Sequence, residues 1–281
     1  MKKFNALIAL MLLLSVFFVA CEQQDTESTI NQDVPDEVLN ALKASGFNVT
    51  DQPPIEFKNG YLVEGDIYLP LADIMSPSKK GDGITISQKQ YSTNNLVATN
   101  GSRNITVFAR EGGRAGFDAV TSTAIDMAID RYNAEELEIT FERVNSVRNA
   151  DIEITRLNFF FELFGILGSA GFPTDAGDPF DDISLSGVLN ANFGISTEGI
   201  ATIVAHELGH CIGFRHTDFF DRSISCGGDP VNEGEGDVGA NLIPGTPEGA
   251  TLEAASWMLS CTDLGDRPFN EDDITALNFL Y

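Results

Sequence analysis

The spacing of hydrophobic and polar residues predicts alternating strands and helices in the second half of the chain. Apolar positions alternate with polar ones over 105–108, 137–141 and 150–154, which predicts three half-buried strands. Between the first two, apolar residues recur at helical spacing and predict a helix over 117–132. We therefore expect strands and helices to alternate along this half of the chain.

The pattern downstream of these elements predicts a buried segment, a strand and a helix. The run 158–167 is dense in Phe and Leu, and we expect it to be buried rather than to form a patch that touches membrane or substrate. Residues 183–193 alternate as a strand does. Ser196 or Thr197 can then cap a helix, and Glu198 in its first turn complements the helix dipole.

The N-terminus has the pattern of an export signal. Two lysines precede an apolar run over 6–20 that is too short to span a membrane. The sequence Phe18-Val19-Ala20-Cys21 resembles the lipobox of bacterial lipoproteins, whose cysteine is diacylated and becomes the new N-terminus. We predict a signal peptide over 1–20 and a lipid on Cys21, which would anchor the exported protein to the cell envelope, with the outer membrane as the expected location. An ordinary secretory signal and a secreted product are the alternative.

The segment 21–88 is predicted to hold a tether and then a pro-segment or small N-terminal region. Residues 22–33 are polar and without period, as expected of a tether. A short helix over 36–45 and a strand over 61–69, broken by Gly, follow it. The dibasic pair 79–80 then lies in an exposed linker and is either a processing site or a solvated charge pair.

The net charge of the chain restricts the classes of partner that it can bind. A formal net charge of -25 excludes nucleic acid, because its recognition needs clustered Lys and Arg. A surface this acidic fits an extracytoplasmic protein that binds calcium, or one that is kept soluble by self-repulsion. The loop with Asp175, Asp178, Asp181 and Asp182 is accordingly either a calcium site or a plain acidic loop.

All three histidines of the chain lie in one short motif. His206 and His210 are four residues apart, so on a helix they share one face and can bind one ion. Glu207 is turned by about 100° from His206, which places its carboxylate beside the metal without ligating it. Gly213 permits the left-handed conformation that ends a helix and brings His216 back as third ligand. Three protein ligands leave a position for water, which suits catalytic rather than structural zinc.

This motif resembles the signature of the metzincin zinc metalloproteases, and within them the myxobacter-type proteases, also called dual-action HEIGH metallopeptidases, many of which are bacterial lipoproteins. The resemblance covers roughly 104–281. It implies an α+β, metzincin-like zincin fold, a mixed twisted sheet with two long helices of which the second carries the motif, in a catalytic domain over 89–281. Met258, in Ser256-Trp257-Met258-Leu259-Ser260, would be the Met-turn beneath the metal rather than an ordinary core residue.

The resemblance also implies a zinc-dependent endopeptidase that acts on proteins or peptides. Zinc would activate its bound water, and Glu207 would serve as general base and then protonate the leaving amine. The strand near 185–190 would be the upper rim of the cleft and pair with an extended substrate. The alternative is a surface lipoprotein that binds zinc or a protein partner without catalysis. Glu207 argues against it, because ligation alone does not need that carboxylate.

The cysteines allow at most one intrachain disulfide if Cys21 carries lipid. Cys211 lies within the metal motif, on a helix whose other face must be core, so we expect a buried thiol there. That leaves Cys226 to pair with Cys261.

The sequence Val63-Glu64-Gly65-Asp66-Ile67-Tyr68-Leu69 resembles the aspartate-switch motif of astacin pro-segments, although Val63 stands where that family has Phe. In that motif Gly lets the backbone approach the cleft and Asp takes the water position on zinc. The resemblance makes Asp66 a candidate latency ligand, which should then lie within ligand distance of the histidines. The alternative is a surface turn in which Gly65 and Asp66 merely reverse a hairpin.

Overall fold

The structure is a computed structural model that describes residues 34–76, 90–246 and 255–281. These residues belong to one compact unit, Gln32–Tyr281. The predicted signal peptide, the Cys21 predicted to carry lipid, the predicted tether and the dibasic pair 79–80 lie outside the described residues. In the part of the chain that is described, no helix has the length and apolar character needed to cross a membrane.

Short strands and helices alternate along the described chain. In chain order they are α1 Asp36–Ala44, β1 Ile55–Phe57, β2 Gly60–Val63, β3 Ile67–Pro70, α2 Leu71–Ile74, β4 Tyr91–Ser92, β5 Arg103–Ala109, α3 Ala119–Asn133, β6 Ile139–Val144, a 3-10 turn Val147–Asn149, β7 Ile152–Arg156, α4 Phe159–Leu163, β8 Gly168–Ser169, β9 Asp182–Leu185, α5 Leu189–Phe193, α6 Thr197–Cys211, α7 Ser223–Cys226, β10 Asn241–Leu242 and α8 Glu271–Leu280.

The core is a five-stranded mixed sheet with two long helices packed together. The strand order is β6-β5-β7-β9-β8, with β8 antiparallel at one edge and the others parallel. Asp118 caps α3 and Ser196 caps α6. The two helices are joined by a hydrogen bond of 2.7 Å from the Tyr132 hydroxyl to the carbonyl of Ala205. The predicted α+β class with a mixed sheet is therefore confirmed.

The prediction of one strand over 183–193 was wrong beyond its first residues. The strand β9 ends at Leu185, and the chain then enters the short helix α5. Because β8 returns antiparallel and pairs with the free side of β9, β9 is an interior strand. Residues 185–190 are thus not the rim of the cleft. The edge of the sheet on this side is formed by β8 and by Ala170, which follows it. We call this edge the rim.

The Phe- and Leu-rich run is mostly exposed, so its predicted burial was also wrong. Only one side of the short helix α4 can face the core. Phe161 takes that side and packs edge-to-face on Phe57, with ring centroids 4.7 Å apart. The other large side chains are exposed by 68%, 69% and 67%, namely Phe159, Phe160 and Leu163.

Residues 34–76 form a layer of their own that docks on the rim. The strands β1, β2 and β3 pair antiparallel, and β2 and β3 share a small core with α1. The predicted strand break at Gly65 is a tight turn, residues 64–66, between β2 and β3. At that turn the backbone N–H of Tyr68 donates to the carbonyl of Ala170 (2.8 Å), and the N–H of Ala170 donates to the carbonyl of Asp66 (3.1 Å). The hairpin tip therefore lies at the rim of the sheet.

Candidate metal centre

The three histidines converge on one point at the C-terminal end of α6. His206 and His210 project from the same face of the helix, with their Nε2 atoms 3.0 Å apart. Gly213 has φ +106°, so the helix ends there in the left-handed conformation that the sequence predicted. The chain then turns back, and the ring of His216 lies 4.9 Å from that of His210. All three rings are buried.

The hydrogen bonds of the first two histidines fix which ring nitrogen faces the metal site. Nδ1 of His206 lies 2.8 Å from the carbonyl oxygen of Trp257, and Nδ1 of His210 lies 2.8 Å from that of Phe214. A carbonyl oxygen can only accept, so each Nδ1 carries the proton and each Nε2 presents a lone pair. Burial also lowers the pKa of His210 well below its ordinary value, which favours the neutral ring that a metal needs.

His216 is oriented by a buried carboxylate instead. Both oxygens of Glu233 lie 3.0 Å from His216 Nδ1. Arg222 donates to the same carboxylate, and the Ser260 hydroxyl donates to it at 3.2 Å. Although burial opposes ionisation, His216 and Arg222 hold the pKa of Glu233 below its usual value. Glu233 therefore stays charged and points Nε2 of His216 at the centre.

Asp66 completes a four-residue cluster with the histidines. Its Oδ2 lies 3.3 Å from Nε2 of His216 and 3.4 Å from Nε2 of His206. The ligand atoms of the four residues lie within 4.8 Å of one another. The Oδ1 atom of Asp66 is buried without a hydrogen-bond partner. Burial opposes ionisation, but the neighbouring histidines hold the pKa of Asp66 well below its usual value.

Glu207 lies between the centre and the rim strand. Its side chain is 2% exposed, and Oε2 is buried without a hydrogen-bond partner. Gly168 of β8 approaches so closely that a Cβ there would collide with the Glu207 carboxylate, which only glycine avoids. Burial, with the charge of Asp66 added to it, raises the pKa of Glu207 well above its ordinary value.

Met258 lies beneath the centre, against the helix that carries the first two histidines. It is fully buried, and a Cβ on Gly209 of α6 would stand 2.6 Å from its sulfur. The N–H of Thr217 donates to the carbonyl of Met258 at 2.8 Å, which ties the residue after the third histidine to this turn. The apolar base of the site is therefore built by two segments distant in sequence.

The region below the third histidine is braced covalently. A disulfide joins Cys226 to Cys261, while Cys211 is a buried free thiol. The carboxylate of Asp218 accepts from the N–H of Ser260 (2.8 Å) and from the hydroxyl of Ser225 (2.6 Å). The loop after the third histidine and the segment after Met258 are thus held together on both sides.

The acidic loop 175–182 is not part of this centre. Asp178 pairs with Arg103 at 2.9 Å, and Asp182 pairs with Lys58. Among the described residues, two clusters of side chains could hold a metal ion, and each contains at least one of the three histidines. Neither cluster contains an aspartate of this loop. Calcium binding there stays a prediction.

Sequence reasoning missed a buried charge network next to the histidines. The guanidinium of Arg215 donates to the Glu64 carboxylate at 2.7 Å, and both side chains are almost fully buried. Arg222 joins Glu233 to the backbone carbonyl of Glu64. The one local signal was Arg215 itself, a charge directly before the predicted ligand His216. Its partners come from sequence-distant segments.

Three histidine Nε2 atoms with a carboxylate form a donor set that suits zinc. Glu207 supplies a further carboxylate beside this set. This combination defines a metallopeptidase centre.

The chain belongs to a family described as dual-action HEIGH metallo-peptidase, whose model matches residues 62–281. This confirms the family resemblance read from the sequence. A search of curated proteins finds no match.

Solved structures give distant matches. A structure of myroilysin is 22% identical over 45% of this chain and 54% of that chain, with a TM-score of 0.33. A crystal structure of myroilysin is 16% identical over 70% of this chain and 90% of that one, with a TM-score of 0.38. The GM1-bound form of the ECX AB5 holotoxin is 15% identical over 64% and 78%, with a TM-score of 0.36. The chain thus spans about half the length of the first of these.

Proposed function

We propose that this zinc metallopeptidase is an endopeptidase in which Glu207 is the general base. The observation that carries the proposal is the buried Oε2 of Glu207, which has no hydrogen-bond partner and lies beside the histidine centre. His206, His210 and His216 would hold the zinc. When bound, zinc supplies Lewis-acid chemistry that activates water and polarises a peptide carbonyl.

Glu207 does the proton transfer in this proposal. Its carboxylate accepts a proton from the attacking water and returns it to the leaving amine. Burial raises the pKa of Glu207 most, and the nearby negative charge of Asp66 raises it further. Departure of Asp66 therefore favours the ionised form that a base requires.

The test compares wild type with Glu207→Ala after cleavage of the chain within 77–89, using casein or a peptide library. A chelator should abolish hydrolysis and zinc should restore it. Glu207→Ala should lose activity by roughly 10²-fold or more, the usual scale of acid–base catalysis, and still bind zinc. Equal turnover by the two proteins, or none by either, favours the alternative, a lipoprotein that binds zinc or a partner without catalysis.

We further propose that the N-terminal layer keeps the protease latent. The hairpin tip brings Asp66 to the position that a substrate carbonyl or water would occupy. Main-chain hydrogen bonds to Ala170 hold the tip on the rim. Cleavage near 79–80, within the segment 21–88, would separate most of that segment from the catalytic domain 89–281 and open the site.

The export signal leads to a proposal on location. A signal peptide over 1–20 and a lipid on Cys21 would anchor the protein to the cell envelope, at the outer membrane. We expect Cys21→Ala to move the protein from the membrane fraction to the soluble or uncleaved-precursor fraction. Unchanged fractionation, with no acyl label on wild type, would remove the anchor and leave a secreted protein.

A further inference from the structure

We propose that the pocket filled by the Glu64 side chain is a substrate subsite for an acidic side chain, and that Arg215 is the residue that recognises it. This inference rests on the proposed endopeptidase function and names its substrate preference. In the full-length chain Glu64 would occupy the subsite, just as Asp66 occupies the metal position.

The guanidinium of Arg215 is held in place independently of Glu64. Both Nη atoms donate to backbone carbonyls of one loop, at 2.7 Å to Glu235, 2.9 Å to Gly239 and 3.1 Å to Gly234. The rings of Phe172 and Phe219 lie 5.6 and 5.7 Å from its Cζ atom. Arg215 is therefore an anion-binding group whose hydrogen bonds to this loop do not involve its carboxylate partner.

The pocket lies next to the reacting centre. Arg215 directly precedes the ligand His216, and the Glu64 carboxylate lies within 4.8 Å of ligand atoms of His216 and Glu233. Glu64 and Asp66 belong to the same turn, two residues apart. Two residues of extended chain span at most about 7 Å. A side chain within one or two residues of a scissile bond can thus reach Arg215.

Departure of the hairpin would leave Arg215 without its ion-pair partner. Glu64 is its ion-pair partner among the described residues, whereas Arg222 keeps Glu233. Burial raises the pKa of Glu64 to about 8, and the charge of Arg215 opposes that rise. A buried guanidinium without its ion-pair partner is strongly unfavourable, so the emptied pocket favours a carboxyl group over an apolar side chain, and over an amide because only the carboxyl group can supply a balancing negative charge. Arg222 also donates to the backbone carbonyl of Glu64 and can recognise the main chain of a substrate in the same way.

Glu64 itself uses only part of the available donors. Its Oε2 and the Nε of Arg215 are both buried without hydrogen-bond partners. Glu64 has φ +56°, a conformation that the tight turn imposes on it. The carboxylate of a substrate side chain is not constrained by that turn. It can accept from both Nη2 and Nε of Arg215, which is the stronger, bidentate arrangement.

The experiment uses the full-length protein cleaved within 77–89, with both fragments kept, and pairs of peptides that differ by Glu or Gln at each position near the scissile bond. At one position Glu should raise kcat/KM roughly tenfold to a hundredfold over Gln, the range of a charge-assisted hydrogen bond. Arg215→Gln should abolish that ratio and Arg215→Lys should keep part of it. Arg143→Gln, which removes a partly exposed ion pair with Asp126, should leave it unchanged.

Equal cleavage of the Glu and Gln peptides by active wild type overturns the acidic subsite and leaves the endopeptidase standing. Absence of any cleavage counts against the proposed function instead. In that case a binding measurement tests whether the emptied pocket binds a carboxylate. The same measurement is used if the Arg215 variants do not fold. Propionate, but not propionamide or chloride at equal concentration, should raise the Tm of full-length Glu64→Ala and not that of wild type. No such shift overturns the pocket.

Discussion

At the scale of single residues, Glu233 decides the geometry of the third ligand. A ring held at Nδ1 by a charged carboxylate cannot rotate its Nε2 away from the centre, and the negative charge makes the ring a better donor to a metal. Arg222 and Ser260 fix the carboxylate in turn. Glu233 is therefore a positioning residue rather than a ligand.

We expect Glu233→Gln to lower zinc affinity by roughly 10- to 100-fold, because outer hydrogen-bond partners of ligating histidines have effects of that size. A competition titration with a chromogenic chelator measures the change. Glu142→Gln, at an exposed position of β6, is the matched control and should bind zinc as wild type does. If the Glu233 variant binds zinc with wild-type affinity, Glu233 does not position the third ligand and only contributes to packing.

The histidines could be predicted because their spacing is local. His206, Glu207 and His210 lie on one helix, where the angle between residues is fixed by geometry. His216 follows after a single glycine turn. Glu233 lies 17 residues beyond His216, and Glu64 lies 151 residues before its partner Arg215. No period connects such positions, so only the folded chain reveals those contacts.

At the scale of elements, the C-terminal helix α8 begins at a buried acid. The side chain of Asn270 accepts from the N–H of Asp273, and the Asp273 carboxylate accepts from the N–H of Asn270 at 3.0 Å, which makes a capping box. Gln90 also donates to Asp273. Burial raises the pKa of Asp273 to about 7, despite these donors.

The raised pKa of Asp273 predicts a stability that falls with rising pH. The folded protein keeps this proton up to about pH 7, whereas the unfolded chain releases it near 3.8. Between those values the folded state binds more protons, so this group removes about 1.4 kcal/mol of stability for each pH unit. We expect Asp273→Asn, measured by urea unfolding from pH 4 to 7, to show a flatter slope than wild type.

A matched control is Glu271→Gln, which changes an exposed acid in the same first turn of α8 and should keep the wild-type slope. Identical slopes for wild type and Asp273→Asn would mean that the carboxylate ionises in the fold as easily as in the unfolded chain. The variant can keep its contact with Gln90, because the Oε1 atom of Gln90 is buried without a partner and can accept from an amide.

Elements with a clear period were predictable, and those without one were not. Strands β5, β6 and β7 and helix α3 follow from alternation and helical spacing. The exposure of α4 could not be read from composition, because aromatic density does not say which side of a short segment meets the core. The interior position of β9 depends on its antiparallel pairing with β8, which is a tertiary contact that local sequence patterns do not predict.

At the scale of the whole molecule, the N-terminal layer touches the metal centre through more than its tip. The N–H of Asn48 donates to the carbonyl of Glu233, and its side-chain amide donates to that of Asn232, both at 2.8 Å. The layer therefore holds the loop that supplies the His216 partner. The periodicity of the sequence does not predict that the N-terminal layer docks here. Only the resemblance to a known latency motif indicated Asp66.

The last prediction concerns that docking. If Asp66 blocks the centre, uncleaved wild type should be inactive and uncleaved Asp66→Ala should hydrolyse casein. Losing contacts to two histidines should shift the closed–open equilibrium of the hairpin roughly 10- to 100-fold, and the rate with it. Electrophoresis of the assayed sample verifies that the chain is intact.

Two further proteins make that experiment decisive. Asp73→Ala, which removes an exposed carboxylate of α2 in the same layer, should stay as latent as wild type. Asp66→Ala combined with Glu207→Ala should be inactive, because opening the site exposes a centre that has lost its base. An Asp66→Ala protein as latent as wild type would assign the block to Glu64 and Arg215, or make residues 34–76 a separate small region that merely rests on the rim.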